Sequence, residues 1–230
     1  MPIDVSQKKR IQVLMTSLYS GFANSDSPGC DHPGPVSRRL SFPRTARCTR
    51  CTRVRYRVGC GCGENRWVRV AVLSDTHGPR RWRSCPPAVA VHLVGVDLIL
   101  HAGDVCVAGV LDELAAFAPV RVVLGNNDGP DVAARGATET LRLDLEGLRV
   151  AMVHDAGSAG GRGPRMRRRF PDADLVLFGH SHIPLDLTHE GLRLLNPGSP
   201  TDRRRQPHGT MALLEIADGR LAQAQIVPVT

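Results

Sequence analysis

Five short apolar runs, each ending abruptly in polar residues, constrain this chain of 230 residues more than any other feature. Val68-Arg-Val-Ala-Val-Leu73 runs into Ser74-Asp75-Thr76-His77-Gly78, and Asp97-Leu-Ile-Leu100 runs into His101-Ala-Gly103-Asp104. Val120-Arg-Val-Val-Leu124 leads to Gly125-Asn126-Asn127-Asp128, and Leu148-Arg-Val-Ala-Met-Val153 to His154-Asp155. Asp174-Leu-Val-Leu-Phe178 leads to Gly179-His180-Ser181-His182. Their length and β-branched content predict buried strands. Two helical stretches lie between the first three: Pro86 to Val94, with proline in its opening turn, and Val110 to Phe117. That alternation predicts a mainly parallel sheet covered by helices.

The second half reads differently. Leu141 to Leu145 and Leu148 to Val153 flank Glu146-Gly147, which predicts a hairpin with a two-residue turn. Glu190-Gly191 and Asp218-Gly219 mark two more hairpins, and Arg162 to Arg169 reads as a loop or short helix. The simplest compact arrangement is one α/β domain over residues 68–230, with two facing mixed β-sheets flanked by helices. No run approaches 18 apolar residues, so no membrane-spanning helix is expected.

Charge and cysteine set residues 1–67 apart as a basic, Cys/Arg-rich extension. They hold 12 Lys and Arg against 4 Asp and Glu, whereas residues 68–230 hold 18 of each. The domain is therefore electroneutral, which argues against a long nucleic-acid track. Of the 30 basic residues 28 are arginine, the bias of a GC-rich coding sequence, and this weakens any reading of arginine clusters as binding patches. Lys8-Lys9-Arg10 before Ile11 to Phe22 has the outline of a signal peptide. Its polar interruptions and the lack of a small-x-small cleavage site argue against one. Cys48, Cys51, Cys60 and Cys62 could supply four thiolates to one zinc, but the second pair has one intervening residue where zinc knuckles have at least two. The other reading of this segment is a disordered extension translated from upstream of the true start. Only Cys85 and Cys106 lie beyond it, so no disulfide framework is expected and a reducing, cytoplasmic setting is.

Ligands collect at the carboxyl ends of strands in sheets of this class. Here those ends carry Asp75, His77, Asp104, Asn126, His154, His180 and His182. Asp75 and His77, and likewise His180 and His182, are two residues apart. In extended segments each pair would point to one side. Carboxylate, amide oxygen and imidazole suit Mn²⁺, Fe or Zn²⁺. Seven ligands exceed what one ion takes, and two ions sharing a carboxylate would use them all. His92, His101, His189 and His208 match no such cluster, although His101 lies close to one. Arg165 with Arg167 to Arg169, and Arg203 to Arg205, could grip phosphate oxygens or simply cover solvated loops.

Asp75-x-His77, Gly103-Asp104, Gly125-Asn126-x-Asp128, His154 and Gly179-His180-x-His182, in this order, resemble the calcineurin-like metallophosphoesterase superfamily. Asn196-Pro197-Gly198-Ser199 adds to the likeness, which runs from about Val68 to the C-terminus and is strongest to the small bacterial and archaeal phosphodiesterase branch. The resemblance implies a two-sheet sandwich. It assigns Asp75, His77, Asp104 and His182 to a first metal, and a bridging Asp104 with Asn126, His154 and His180 to a second. Many members carry histidine where Asn127 stands and use it to protonate the leaving oxygen; an amide cannot do so. A leaving group of low pKa, or protonation by water, is then required.

The expected reaction is phosphodiester hydrolysis by in-line attack of a hydroxide bridging two ions. Mn²⁺ is the first choice of ion, with Fe, Zn²⁺ and Ni²⁺ open. Asp104 and Asn126 take part as ligands, Asp128 orients the loop that carries Asn126, and Asn127 is a candidate substrate contact. The expected partner is a small phosphodiester. Two other functions stay open. One is a non-catalytic interaction scaffold, since a eukaryotic retromer sorting subunit resembles the same branch. The other is a nuclease or phosphomonoesterase.

Overall fold

Alternation along each predicted strand sorts the side chains into layers. In β2 (Val68–Leu73), Val68, Val70 and Val72 join one apolar cluster, while Ala71 and Leu73 join another. In β3 (Leu98–His101), Leu98 and Leu100 face the first cluster and Ile99 the second. The same division recurs in β6 (Leu148–Val153), where Val150 and Met152 point inward and Ala151 and Val153 outward. β7 (Leu175–Leu177) turns Leu175 and Leu177 inward and Val176 outward. Two sheets therefore share one core between them and bury a further core on each outer face.

The computed structural model describes residues 54–56 and 67–229. The Cys48, Cys51, Cys60 and Cys62 zinc reading lies outside the described residues. The chain divides into units Met1–Thr45 and Ala46–Thr230, and every described residue belongs to the second. Within the extension, β1 (Val54–Tyr56) pairs in parallel with β5 (Thr140–Leu145) at a sheet edge. The remaining strands are β4 (Val120–Val122), β8 (Leu185–His189), β9 (Leu192–Asn196), β10 (Thr210–Ala217) and β11 (Arg220–Pro228). One sheet runs β1-β5-β6-β7-β9-β8 and the other β11-β10-β2-β3-β4, both mixed. This is the facing-sheet α/β arrangement expected from the sequence.

Helices cover the outer faces. α1 (Pro87–Leu93) and α2 (Ala108–Ala115) bury Val89, Leu93, Val110, Leu111 and Leu114 against the smaller sheet. α2 begins and ends two residues before the expected stretch, and one further helical turn carries the chain to Ala118 before Pro119. A short α3 (Pro130–Ala133) follows. Arg162–Arg169 forms a helix, α4, that lays Met166 on the larger sheet beside Phe170. Among the described residues no helix is long and apolar enough to cross a membrane.

All three expected hairpins form. Each turn pairs a non-glycine residue with glycine, and both have positive φ: Glu146/Gly147 at 50° and 101°, Glu190/Gly191 at 47° and 74°, Asp218/Gly219 at 49° and 71°. Such turns match the right-handed twist of the strands they join. Two of them touch, since a Cβ on Gly147 would lie 3.1 Å from Gly219 Cα. β2, β3 and β4 are mutually parallel, as are β6, β7 and β9. The polar clusters follow the carboxyl ends of these two sets.

The second strand runs one residue further than expected and takes in His101, paired with Leu73 and Val122. Its ring is fully buried, with Nε2 3.1 Å from Thr76 Oγ1 and no hydrogen-bond partner at Nδ1. Burial drives its pKa from 6.5 down to about 3. The unfolded chain therefore binds a proton that the folded chain refuses between those values. Stability is fullest above pH 6.5 and falls, by up to about 1.4 kcal/mol per pH unit, as pH drops towards 3. We predict that His101→Gln flattens this acid limb. The check is a series of urea midpoints between pH 4 and pH 7; a slope equal to wild type would contradict the assignment.

Candidate metal centre

The expected extended geometry around Asp75 and His77 is not what the chain adopts. Asp75 and His77 sit at φ 56° and 48°, His180 and His182 at 67° and 59°, and Asp104 at 57°. These are left-handed conformations that cost non-glycine residues of order 1 kcal/mol or more each. The strand ladder has ended here, and loop-to-loop bonds replace it. The N–H groups of Asp75, His77 and Gly78 donate to the carbonyls of Gly103, Asp104 and Val105 at 2.9, 3.0 and 3.0 Å. Ser199 Oγ donates to the Asp75 carbonyl at 2.7 Å, and Thr201 Oγ1 to that of Thr76 at 2.8 Å. Paired kinks, rather than the pleat, thus turn the side chains of each motif towards a common point.

Asp75, His77 and His182 form one set, with a ligand atom from each within 4.8 Å of the others; Asp75, Asp104 and His154 form a second. In the first, His77 Nε2 lies 3.2 Å from His182 Nε2, which is 3.4 Å from Asp75 Oδ1. In the second, His154 Nε2 is 3.5 Å from Asp104 Oδ2 and 3.1 Å from Asn126 Oδ1, and His180 Nδ1 is 3.0 Å from the same amide oxygen. Asp104 Oδ2 also lies 3.7 Å from His77 Nε2 and so sits between the two sets. The structure brings all seven sequence-predicted ligands together. Asp75, Asp104, His154 and His182 are buried, while Asn126 and His180 are exposed.

Nitrogen by nitrogen, the arrangement suits cations. His154 Nδ1 donates to the Ala102 carbonyl at 2.7 Å, and His182 Nδ1 to that of Asp202 at 2.6 Å. Their Nε2 lone pairs are thereby left facing carboxylate and amide oxygens, acceptors facing acceptors. Asp75 Oδ1 is buried without any hydrogen-bond partner, a costly omission that a divalent ion would repair. Nitrogen and oxygen donors together fit such an ion.

The protonation tendencies follow from the same surroundings. Burial pushes Asp75 up to about 7, despite the 2.5 Å bond from Ser74 Oγ to its Oδ2. Burial also opposes ionisation of Asp104, yet bonds to His154 and Asn127 hold it well below the usual carboxylate range. His77 and His182 are lowered by burial. Burial works against a charged His154, but Asp104, the Ala102 carbonyl and Asp75 together outweigh it and raise its pKa.

The remaining predicted residues serve Asp104. Asp128 accepts the N–H of Asp104 and of Gly125 on Oδ2, at 3.0 and 2.7 Å, and that of Cys106 on Oδ1 at 2.6 Å. Asn127 donates its backbone N–H to Asp104 Oδ1 at 2.9 Å and its side-chain amide to Oδ2 at 2.7 Å. A Cβ on Gly125 would overlap the backbone and carboxylate of Asp104, and one on Gly179 would strike Ser74 and Asp75. Asn196 Nδ2 ties down the Gly179 carbonyl at 2.8 Å.

Sequence reasoning missed the carbonyls of Ala102 and Asp202, which no residue type announces. It also missed Cys106, whose Sγ is 3.5 Å from His77 Nδ1. The arginine clusters brace backbone. Arg165 donates to the carbonyls of Ala156, Ser158 and Gly160, and Arg167 to those of Pro171, Ala173 and Glu190.

Comparison with known proteins agrees with this geometry. The profile of the calcineurin-like phosphoesterase superfamily domain matches residues 68–219. A probable metallophosphoesterase of Methanothermobacter thermautotrophicus is 37% identical over 165 residues, 69% of this chain and 91% of that protein. A solved structure of a Thermotoga maritima protein superposes with a TM-score of 0.56 at 29% identity, over 70% of this chain and 99% of that one. Zinc-complexed wild-type Vps29 of Entamoeba histolytica superposes with a TM-score of 0.55 at 23% identity, over 71% of this chain and 100% of that one, a likeness of fold. On matched sequence and converging ligands alike, the chain belongs to the calcineurin-like phosphoesterase superfamily.

Proposed function

We propose that this centre hydrolyses small phosphodiesters. Asp75, His77, Asp104 and His182 hold one divalent cation, and Asp104, Asn126, His154 and His180 hold a second. The observation that carries the reading is Asp104 Oδ2, placed 3.7 Å from His77 Nε2 and 3.5 Å from His154 Nε2 and so within reach of both sets. Mn²⁺ suits the mixture of carboxylate, amide and imidazole. When bound, the two ions supply an activated water and neutralise charge developing on the phosphoryl oxygens.

The chain's own residues do the positioning. Asp128 fixes the Asp104 backbone by accepting its N–H, and Asn127 donates to the Asp104 carboxylate and, with His154, keeps it ionised. The carbonyls of Ala102 and Asp202 hold two imidazoles with Nε2 turned inward. Asn127 gives one amide hydrogen to Asp104, so only its second can reach a substrate oxygen. No imidazole stands there to protonate the leaving group, and diesters of acidic alcohols or phenols react best. A scaffold role would not require seven converging ligands, and the electroneutral domain offers nucleic acid no basic track.

Metal-stripped protein is expected to leave bis(p-nitrophenyl) phosphate intact and to recover nitrophenolate release on adding Mn²⁺. Asp104→Ala should bind less than one ion per chain by elemental analysis and lose about 10³-fold or more in kcat. Near-normal turnover by that variant would defeat the shared-ligand assignment. Asn127→His should raise turnover of alkyl diesters relative to aryl ones, by about 10²-fold if the ring donates a proton. An unchanged ratio would mean that position 127 does not reach the leaving oxygen.

A further inference from the structure

A cavity of about 310 Å³ opens beside the metal centre, bounded by the loop after β6 and the loop after β7. Both loops carry candidate ligands. His180 forms one wall, with its ring edge-on to His154 at 5.2 Å and its Nδ1 on Asn126. Phe178, Ser158 and Asp155 line the space, and Arg162, the first residue of α4, closes its far side. The volume equals that of about ten waters, which suits one arm of a small ester rather than a polymer.

Arg162 is the group in this cavity that the fold leaves unfinished. Its Nε and Nη2 donate to the Gly157 carbonyl at 3.2 and 2.9 Å, and its guanidinium carbon lies 4.9 Å over the Phe178 ring. Those contacts fix its plane. Among the described residues Nη1 has no partner, and no carboxylate forms an ion pair with the guanidinium. The nearby Asp155 turns Oδ1 to the Gly157 N–H at 2.6 Å. By contrast, Arg135, Arg149 and Arg193 are each bonded to aspartate through two nitrogens, and Arg165 is spent on carbonyls. A half-buried guanidinium, oriented and bonded to no carboxylate, with Asp155 drawing on it only at longer range, can receive an oxyanion.

We propose that the cavity is a substrate subsite and that Arg162 selects phosphodiesters whose second arm ends in a carboxylate or phosphate. This rests on the phosphodiesterase reading and names its substrate class. The test titrates metal-loaded protein calorimetrically with p-nitrobenzylphosphonate esters, whose P–C bond resists cleavage on the aryl side. Their other arm is propyl, carboxypropyl or phosphonooxypropyl. An anionic arm should bind about tenfold tighter than propyl, and the better of the two anions identifies the natural terminus. Arg162→Gln should bring that ratio close to one, and Arg162→Lys should restore part of it. Equal affinity for all three arms in the wild type, or a preference that survives in Arg162→Gln, overturns the proposal. Hydrolysis of the matching nitrophenyl diesters is followed separately. If none is cleaved, the phosphodiesterase reading falls, while the affinity ratio still decides for or against the subsite.

Discussion

One carboxylate keeps the two halves of the centre in register. Asp128 accepts three backbone N–H groups, from Asp104, Gly125 and Cys106. It thereby fastens the loop after β3 to the loop after β4. Asp104 is placed by that clamp, and through Asp104 the ligands of the smaller sheet meet His154, His180 and His182 from the larger one. Burial alone would press a proton onto Asp104, and the donors arranged around it reverse that tendency. The hydrogen bonds that hold this carboxylate anionic, between two groups of candidate metal ligands, also hold it in place.

Much of this was legible in the residues. The short length and β-branched content of Val68–Leu73 and Leu148–Val153 located the strands, because runs of six bounded by polar residues are too short for most helices; which face turned inward was read only from the fold. Glycine at the second turn position announced three hairpins. The ligand residues were legible as types at strand ends. Their backbone was not, since left-handed φ at Asp75, His77, Asp104, His180 and His182 is uncommon even for these residue types, and bonds between loops distant in sequence support it at Asp75, His77 and Asp104. The carbonyls that orient His154 and His182 carry no signature at all, because every residue has one.

Strain and function coincide at these positions. Five left-handed candidate ligands, together with an orphaned carboxylate oxygen on Asp75, make this cluster a costly piece of structure. The layers around it repay that cost through three separate apolar clusters, which hold the strand ends where the loops require them. Stability resides in the sandwich, and the candidate ligands gather at its rim.

The glycine turns at 147 and 219 lie at the opposite end of the strands from the ligands. There the two sheets approach closely: a Cβ on Gly147 would press on Gly219 Cα at 3.1 Å, tighter than ordinary contact, whereas one on Gly219 would meet its neighbours at 3.5 Å or more. A wedge driven in at that seam would splay strands of six residues, roughly 20 Å long, about their far end. Aspartates and histidines borne by different sheets would then part company without any of them being altered. A bare glycine at the remote pole of the molecule thus keeps open the close approach on which the convergence of the candidate ligands rests.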